Sequence, residues 1–155
     1  MEEVLKINAG EDITKEALAG LLGLTPKSRG ITNLSGLEHC TSLTWLDLGG
    51  NQLTDISGLA NLTGLINLRL HNNQISDLSP LANLTNLNLL NLGDNQIKDI
   101  SPLANLTSLI RLYLLATQIK DISSLANLTS LTNLALYNNH IRDIPPLVNN
   151  NGIKG

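Results

Sequence analysis

Five leucines, Leu43, Leu65, Leu87, Leu109 and Leu131, stand 22 residues apart, and each opens one recurring phrase with no insertion or deletion between copies. The phrase is L-x-x-L-x-L-x-x-N-x-I/L-x-D-I/L, and four of the five copies close with x-x-L-A-N-L-T. A fixed period of this length marks a solenoid, in which each unit buries its apolar face only against its neighbours. A chain so built is a scaffold that presents a surface.

One copy, Leu87 to Ser108, gives the coil. Residues Leu89 to Leu92 alternate at period two, as a short strand does, with Leu90 and Leu92 inward and Leu89 and Asn91 outward. Ser101-Pro102 reads as an N-cap followed by proline at the first helical position, where its missing N–H costs nothing. PLANL is long enough for one tight turn, of 3-10 type, before the chain returns. Stacked coils then give a parallel sheet of five strands, about Trp45–Leu48, Asn67–Leu70, Leu89–Leu92, Arg111–Leu114 and Asn133–Leu136. The predicted fold class is an α/β solenoid with a concave parallel sheet, short 3-10 or irregular convex segments and an N-terminal helical cap.

Positions 87, 90, 92, 97, 100, 103 and 106 supply the core of this coil, and their equivalents supply the others. Phe is absent from the chain, so the core is aliphatic. The column Asn51, Asn73, Asn95 and Asn139 lies where the chain leaves the strand. A side-chain amide there can satisfy backbone groups of its own coil and the next, a structural ladder. Asp55, Asp77, Asp99, Asp121 and Asp143 form a second column, read as acceptors for N–H groups of the following turn and not as a cation site. Lys98, Lys120 and Arg142 precede three of these acids and relieve their stacked like charge. The N-L-T triplets at Asn61, Asn83, Asn105 and Asn127 match a glycosylation pattern, but they recur with the period and reflect the repeat.

Residues 1–42 differ and read as an N-terminal cap. Thr14 suits an N-cap for a helix over about Lys15–Leu22, with Ile13 and Leu18 as a hydrophobic staple and Gly23 as the stop. Ile31, Leu34, Leu37 and Cys40 fall one period before Leu53, Ile56, Leu59 and Leu62, a degenerate half-coil in which Cys40 is a core residue. Residues 43–152 are the five full repeats and 153–155 a truncated tail, all in one structural domain. The fifth repeat decays into Leu147-Val148-Asn149-Asn150-Asn151, so the last strand is expected to fray or to pair with a second copy as a homodimer.

The phrase N-Q-I-x-D-I-S-P-L-A-N-L-T resembles the 22-residue leucine-rich repeats of the bacterial internalin type. It is also similar to the repeats of the cytosolic leucine-rich regulators of protein phosphatase 1. Asp12–Leu46 looks like the opening of bacterial and archaeal extracellular leucine-rich repeat proteins. The resemblance implies recognition of protein partners through the concave face. Two departures stand out: the cap is shorter than the family's, and Leu115-Ala116-Thr117 replaces x-x-Asn, which puts the asparagine ladder in question at repeat four.

Positions that point out of the sheet carry no packing duty, so their composition reports use. Trp45, Tyr113 and Tyr137, the chain's only aromatics, all occupy them, together with Arg69, His71, Leu89, Arg111 and Leu115. Aromatic residues and arginine are the types enriched at binding hot spots. Leu89, Tyr113, Leu115 and Tyr137 are expected to form one apolar patch beside Arg111.

Other classes find little support. A net charge of −3 without a basic stripe argues against nucleic acid. A single cysteine excludes an internal disulfide and a cysteine-based zinc site. His71 and His140 sit three coils apart, roughly 14 Å at the strand spacing, too far to share a metal. No phosphate loop, H-E-x-x-H motif or catalytic triad is present in the sequence, and neither a cofactor nor enzymatic activity is expected. The reading is a protein-binding module from a bacterial surface or secreted protein, extracellular if the chain is an excised domain. The alternatives are a cytosolic scaffold or regulatory subunit, favoured by the lack of a signal-peptide pattern at Met1, and a self-associating structural unit.

Overall fold

The computed structural model describes residues 18–148 and 150–153. Its six parallel strands form one sheet in chain order: β1 (Gly23–Leu24), β2 (Trp45–Asp47), β3 (Asn67–Arg69), β4 (Leu89–Asn91), β5 (Arg111–Tyr113) and β6 (Asn133–Ala135). The register between neighbours is one repeat, so Trp45 lies beside Asn67, Asn67 beside Leu89, and Leu89 beside Arg111. A parallel sheet needs a crossover between strands, and here the remainder of each coil is that crossover.

Return segments carry 3-10 turns at Leu37–His39, Ser57–Leu59, Ser79–Leu81, Ser101–Leu103, Ser123–Asn127 and Pro145–Leu147. The N-cap is Ile100 and not Ser101, and no cap side chain bonds to the turn. The aspartates take that role from one residue further back. Asp55, Asp77, Asp99 and Asp121 each accept the N–H of the serine two residues on, at 2.8 Å. Pro145 has no N–H to offer Asp143, so the column stops there.

The core is the stack of Leu and Ile columns. In the central coil Leu87, Leu90, Leu92, Ile97, Ile100, Leu103 and Leu106 are each at most 2% exposed. Burying such a side chain stabilises by roughly 1.5–3 kcal/mol before conformational entropy is subtracted. Cys40 is buried in its leucine column, and burial, with a lesser push from the Glu38 carboxylate, raises its thiol pKa.

The N-terminal expectation needs correction. Thr14, Ile13 and Lys15 to Ala17 lie outside the described residues, and the helical segment that is described covers only Leu18 and Ala19. Leu21 and Leu22 do not continue it. Leu22 C=O accepts the N–H of Thr44 (2.9 Å) and of Trp45 (3.2 Å), which draws the chain into the sheet, and Gly23 starts β1 in place of ending a helix. The sheet therefore has six strands where five were expected. Gly23 pairs with Trp45 and Leu24 with Leu46, one full period apart.

At the other end β6 pairs on one side only among the described residues, and Leu134 and Leu136 are half-buried where their counterparts are fully buried. Leu147 and Ile153 pack against the core, and Asn150 is buried with its amide donating to the Leu125 carbonyl at 3.1 Å. Ile144 and Val148 remain exposed.

Candidate binding face

Outward strand positions line up across coils. One row reads Trp45, Asn67, Leu89, Arg111, Asn133 and the next Asp47, Arg69, Asn91, Tyr113, Ala135. Parallel bonding continues past the strands: Gly50 N–H donates to His71 C=O, Asn72 to Gly93, Asp94 to Leu115 and Ala116 to Tyr137, at 2.9–3.0 Å. A third row, Gly49, His71, Gly93, Leu115 and Tyr137, is thereby held in step with the first two.

The next position turns the chain. Gly50, Asn72, Asp94, Ala116 and Asn138 all have φ between 50° and 69°, in the left-handed region. Glycine, asparagine and aspartate tolerate that backbone, and alanine does so only at a cost. The residue that follows fixes the turn. Asn73 donates from Nδ2 to the carbonyls of Leu48 (3.1 Å) and Leu70 (2.9 Å), and its Oδ1 accepts Leu53 N–H at 3.0 Å. Asn95 repeats the set on Leu70, Leu92 and Ile75, and Asn139 on Leu114, Leu136 and Ile119. Asn51 reaches Pro26 and Leu48 carbonyls and the N–H groups of Arg29 and Ile31. Asn51, Asn73, Asn95 and Asn139 are thus committed to backbone.

Thr117 breaks this ladder. Its hydroxyl lies 3.1 Å from Leu114 C=O and 2.5 Å from Asn139 Oδ1. One proton serves one of these acceptors. Thr117 offers nothing to Ile97 N–H, whose counterparts Leu53, Ile75 and Ile119 each bond to an asparagine.

Of the candidate contact residues, Tyr137 and Arg111 are exposed, while Trp45, Arg69, His71, Tyr113 and Leu115 are half-buried. Leu89 departs from expectation: it is only 6% exposed and belongs to the floor of the sheet, not to an available apolar patch. Asn67 and Arg111 flank it in register. Arg69 pairs with the buried Asp47 at 3.5 Å, and Asp47 also accepts Gly49 N–H at 3.0 Å. Arg111 has no ion-pair partner among the described residues.

Side chains in the third row lean back over the preceding coil. A β-carbon on Gly93 would meet Leu115 Cγ at 2.8 Å, and one on Gly49 would collide with the His71 imidazole. Glycine at 49 and 93 therefore makes the seats on which His71 and Leu115 rest. Their alternation with larger residues along the row is visible in the sequence. What emerges is a polar, amide-rich face with Arg111, Tyr113, Leu115 and Tyr137 grouped on its last coils. Among the described residues, no three His, Cys, Asp or Glu side chains gather closely enough to hold a metal ion. No helix among them is long and apolar enough to cross a membrane.

A family model described as leucine rich repeats, two copies, matches residues 41–83, 63–105, 85–127 and 107–150. The chain is similar to an internalin, InlF, of Listeria monocytogenes, with 40% identity and a TM-score of 0.92 over 96% of this chain and 44% of that one. It is also similar to internalin C2 of the same organism, with 31% identity and a TM-score of 0.58 over 96% and 85% of the two chains. The functional domain of InlJ, again from Listeria monocytogenes, matches at 26% identity and a TM-score of 0.68, over 91% of this chain and 35% of that one. That domain includes a cysteine ladder, for which this chain, with Cys40 alone, has no counterpart. The chain spans less than half the length of InlF. No curated protein matches it. With its 22-residue period, its six-stranded parallel sheet and these matches, the chain belongs to the leucine-rich repeat family and is of the internalin type.

Proposed function

We propose that this chain is a non-enzymatic protein-recognition module of a bacterial surface or secreted protein, and that it engages its partner through the outward face of the sheet. The observation that carries the reading is placement: every aromatic side chain of the protein lies on that face, in strands or turns held in register by the inter-coil ladder. Trp45, Arg69, His71, Arg111, Tyr113, Leu115 and Tyr137 form the contact set, with Leu89 as its floor. Tyrosine, tryptophan and arginine supply large contact areas from few rotatable bonds, which limits the entropy lost on docking. Surface or secreted origin rests on the likeness to the Listeria internalins.

The test is an alanine scan against a partner selected from displayed extracellular proteins. Tyr113→Ala and Tyr137→Ala should each weaken binding by roughly 2 kcal/mol, the hot-spot range, with unchanged melting. Lys120→Ala, off the face, should bind as the wild type does. The reverse ranking overturns the assignment.

A second reading, self-association through the last coil, draws on the exposure of Ile144, Val148 and Tyr137 together with the side of β6 that pairs with no strand among the described residues. Light scattering across a concentration series tests it. A mass that stays monomeric throughout removes it.

A further inference from the structure

Beyond the turn that follows each strand lies a second, shorter ladder. The N–H groups of Gln74, Gln96, Gln118 and His140 donate to the carbonyls of Leu53, Ile75, Ile97 and Ile119, each at 2.9 Å. This ladder carries Lys98, Lys120 and Arg142 in line, one per coil, at steps of roughly 4.8 Å. All three are exposed, and none is in an ion pair among the described residues. They line an open trough of about 1030 Å³ together with Gln118, His140 and Asp121, and a continuation of it reaches Gln96, Ser76 and Asp99.

The acids of the trough keep their charge, but two of them are held against the turn that follows. Asp99 accepts the N–H and hydroxyl of Ser101 at 2.8 and 3.0 Å, and Asp121 accepts the N–H of Ser123 at 2.8 Å. Asp143, which also lines the trough, has no such donor because Pro145 lacks an N–H.

We propose that this trough binds a linear acidic glycan, with its anionic groups on Lys98, Lys120 and Arg142 and its hydroxyls on Gln96, Gln118 and His140. Three in-line cations flanked by amides match a ligand that alternates charge with hydroxyls at about one sugar per coil. An extended acidic peptide repeats on one face every two residues, roughly 6.8 Å, and falls out of step within two coils. Single-stranded nucleic acid is held by aromatic stacking platforms, and all three aromatics lie on the sheet face instead. The proposal is independent of the protein-binding reading of that face.

Titration at low salt tests it with a heparin octasaccharide and an oligogalacturonate, which separate sulfate from carboxylate recognition. A dextran oligosaccharide, a decaglutamate peptide and an oligothymidylate serve as competitors. At least one acidic glycan should bind, more tightly than any competitor, and the affinity should fall with added salt. The variant Lys98→Gln/Lys120→Gln/Arg142→Gln should lose at least tenfold. Asp143→Asn should bind more tightly, and Arg111→Gln, on the other face, should keep wild-type affinity. Failure of both glycans to bind overturns the proposal. So does undiminished affinity in the triple variant, an equal loss in Arg111→Gln, or equal or tighter binding of any competitor.

Discussion

Thr117→Asn should stabilise the protein, contrary to the usual direction of a buried substitution. In the intact coils an asparagine at this position accepts the preceding coil's N–H and donates to carbonyls of the preceding coil and of its own. Thr117 makes one donation, shared between Leu114 C=O and Asn139 Oδ1. An amide there gives Ile97 N–H its acceptor, and leaving such a buried donor unmade costs about 1–3 kcal/mol. It also adds a bond to Leu92 C=O, at about 0.5–1.5 kcal/mol, and loses a similar amount from the hydroxyl contact to Asn139. The balance is a gain of about 1–3 kcal/mol, which at this chain length raises the melting temperature by roughly 2–4 °C per kcal/mol. Calorimetry reads the melting, and hydrogen exchange reads the site, because repeat arrays need not unfold in one step. Ile97 N–H should become markedly more protected. A variant that melts at or below the wild type, with Ile97 exchange unchanged, refutes the view that the amide ladder holds the turns.

Three further outcomes are expected. Ala116→Gly should stabilise by about 0.5–1 kcal/mol, the relief of a left-handed alanine less the entropy glycine adds to the unfolded chain; urea unfolding checks it. Leu90→Ala should cost about 2–5 kcal/mol in the same assay, since the close-packed leucine columns refill a cavity poorly. The backbone N–H of Ser79, then its hydroxyl, lowers the Asp77 pKa below the ordinary 3.8, and Ser123 does the same for Asp121. Their contribution to stability is full above the unfolded-state value and is lost as pH falls through the lower folded values, so Asp77→Asn/Asp121→Asn should flatten the acid limb of a stability–pH curve.

The fold was legible in the sequence because the period is strict: Leu, Ile and Asn columns report their own neighbours. Asn73 and Asn95 could be read as backbone ligands from their place at the end of the strand. β1 escaped notice because Pro26 and Arg29 stand where Leu48 and Asn51 stand one coil later, which erases the phrase while the pairing survives. The burial of Leu89 is not legible because period-two alternation gives direction and not cover, and cover depends on residues of other coils that lie in register. The left-handed column was hidden by its residue types. Gly50, Asn72, Asp94 and Asn138 look unrelated until a shared positive φ explains them, and Ala116 masks the rule.

The account turns on which surface meets the partner, and hydrogen-exchange footprinting of the complex reads that most directly. With a partner selected as above, slowed exchange should concentrate on β2 to β6 and on the turns at His71–Asn72, Leu115–Ala116 and Tyr137–Asn138. Exchange in the 3-10 turns Ser79–Leu81 and Ser101–Leu103 should be unchanged. Protection confined to those turns, with the strands as in the free protein, would contradict the assignment of recognition to the sheet face.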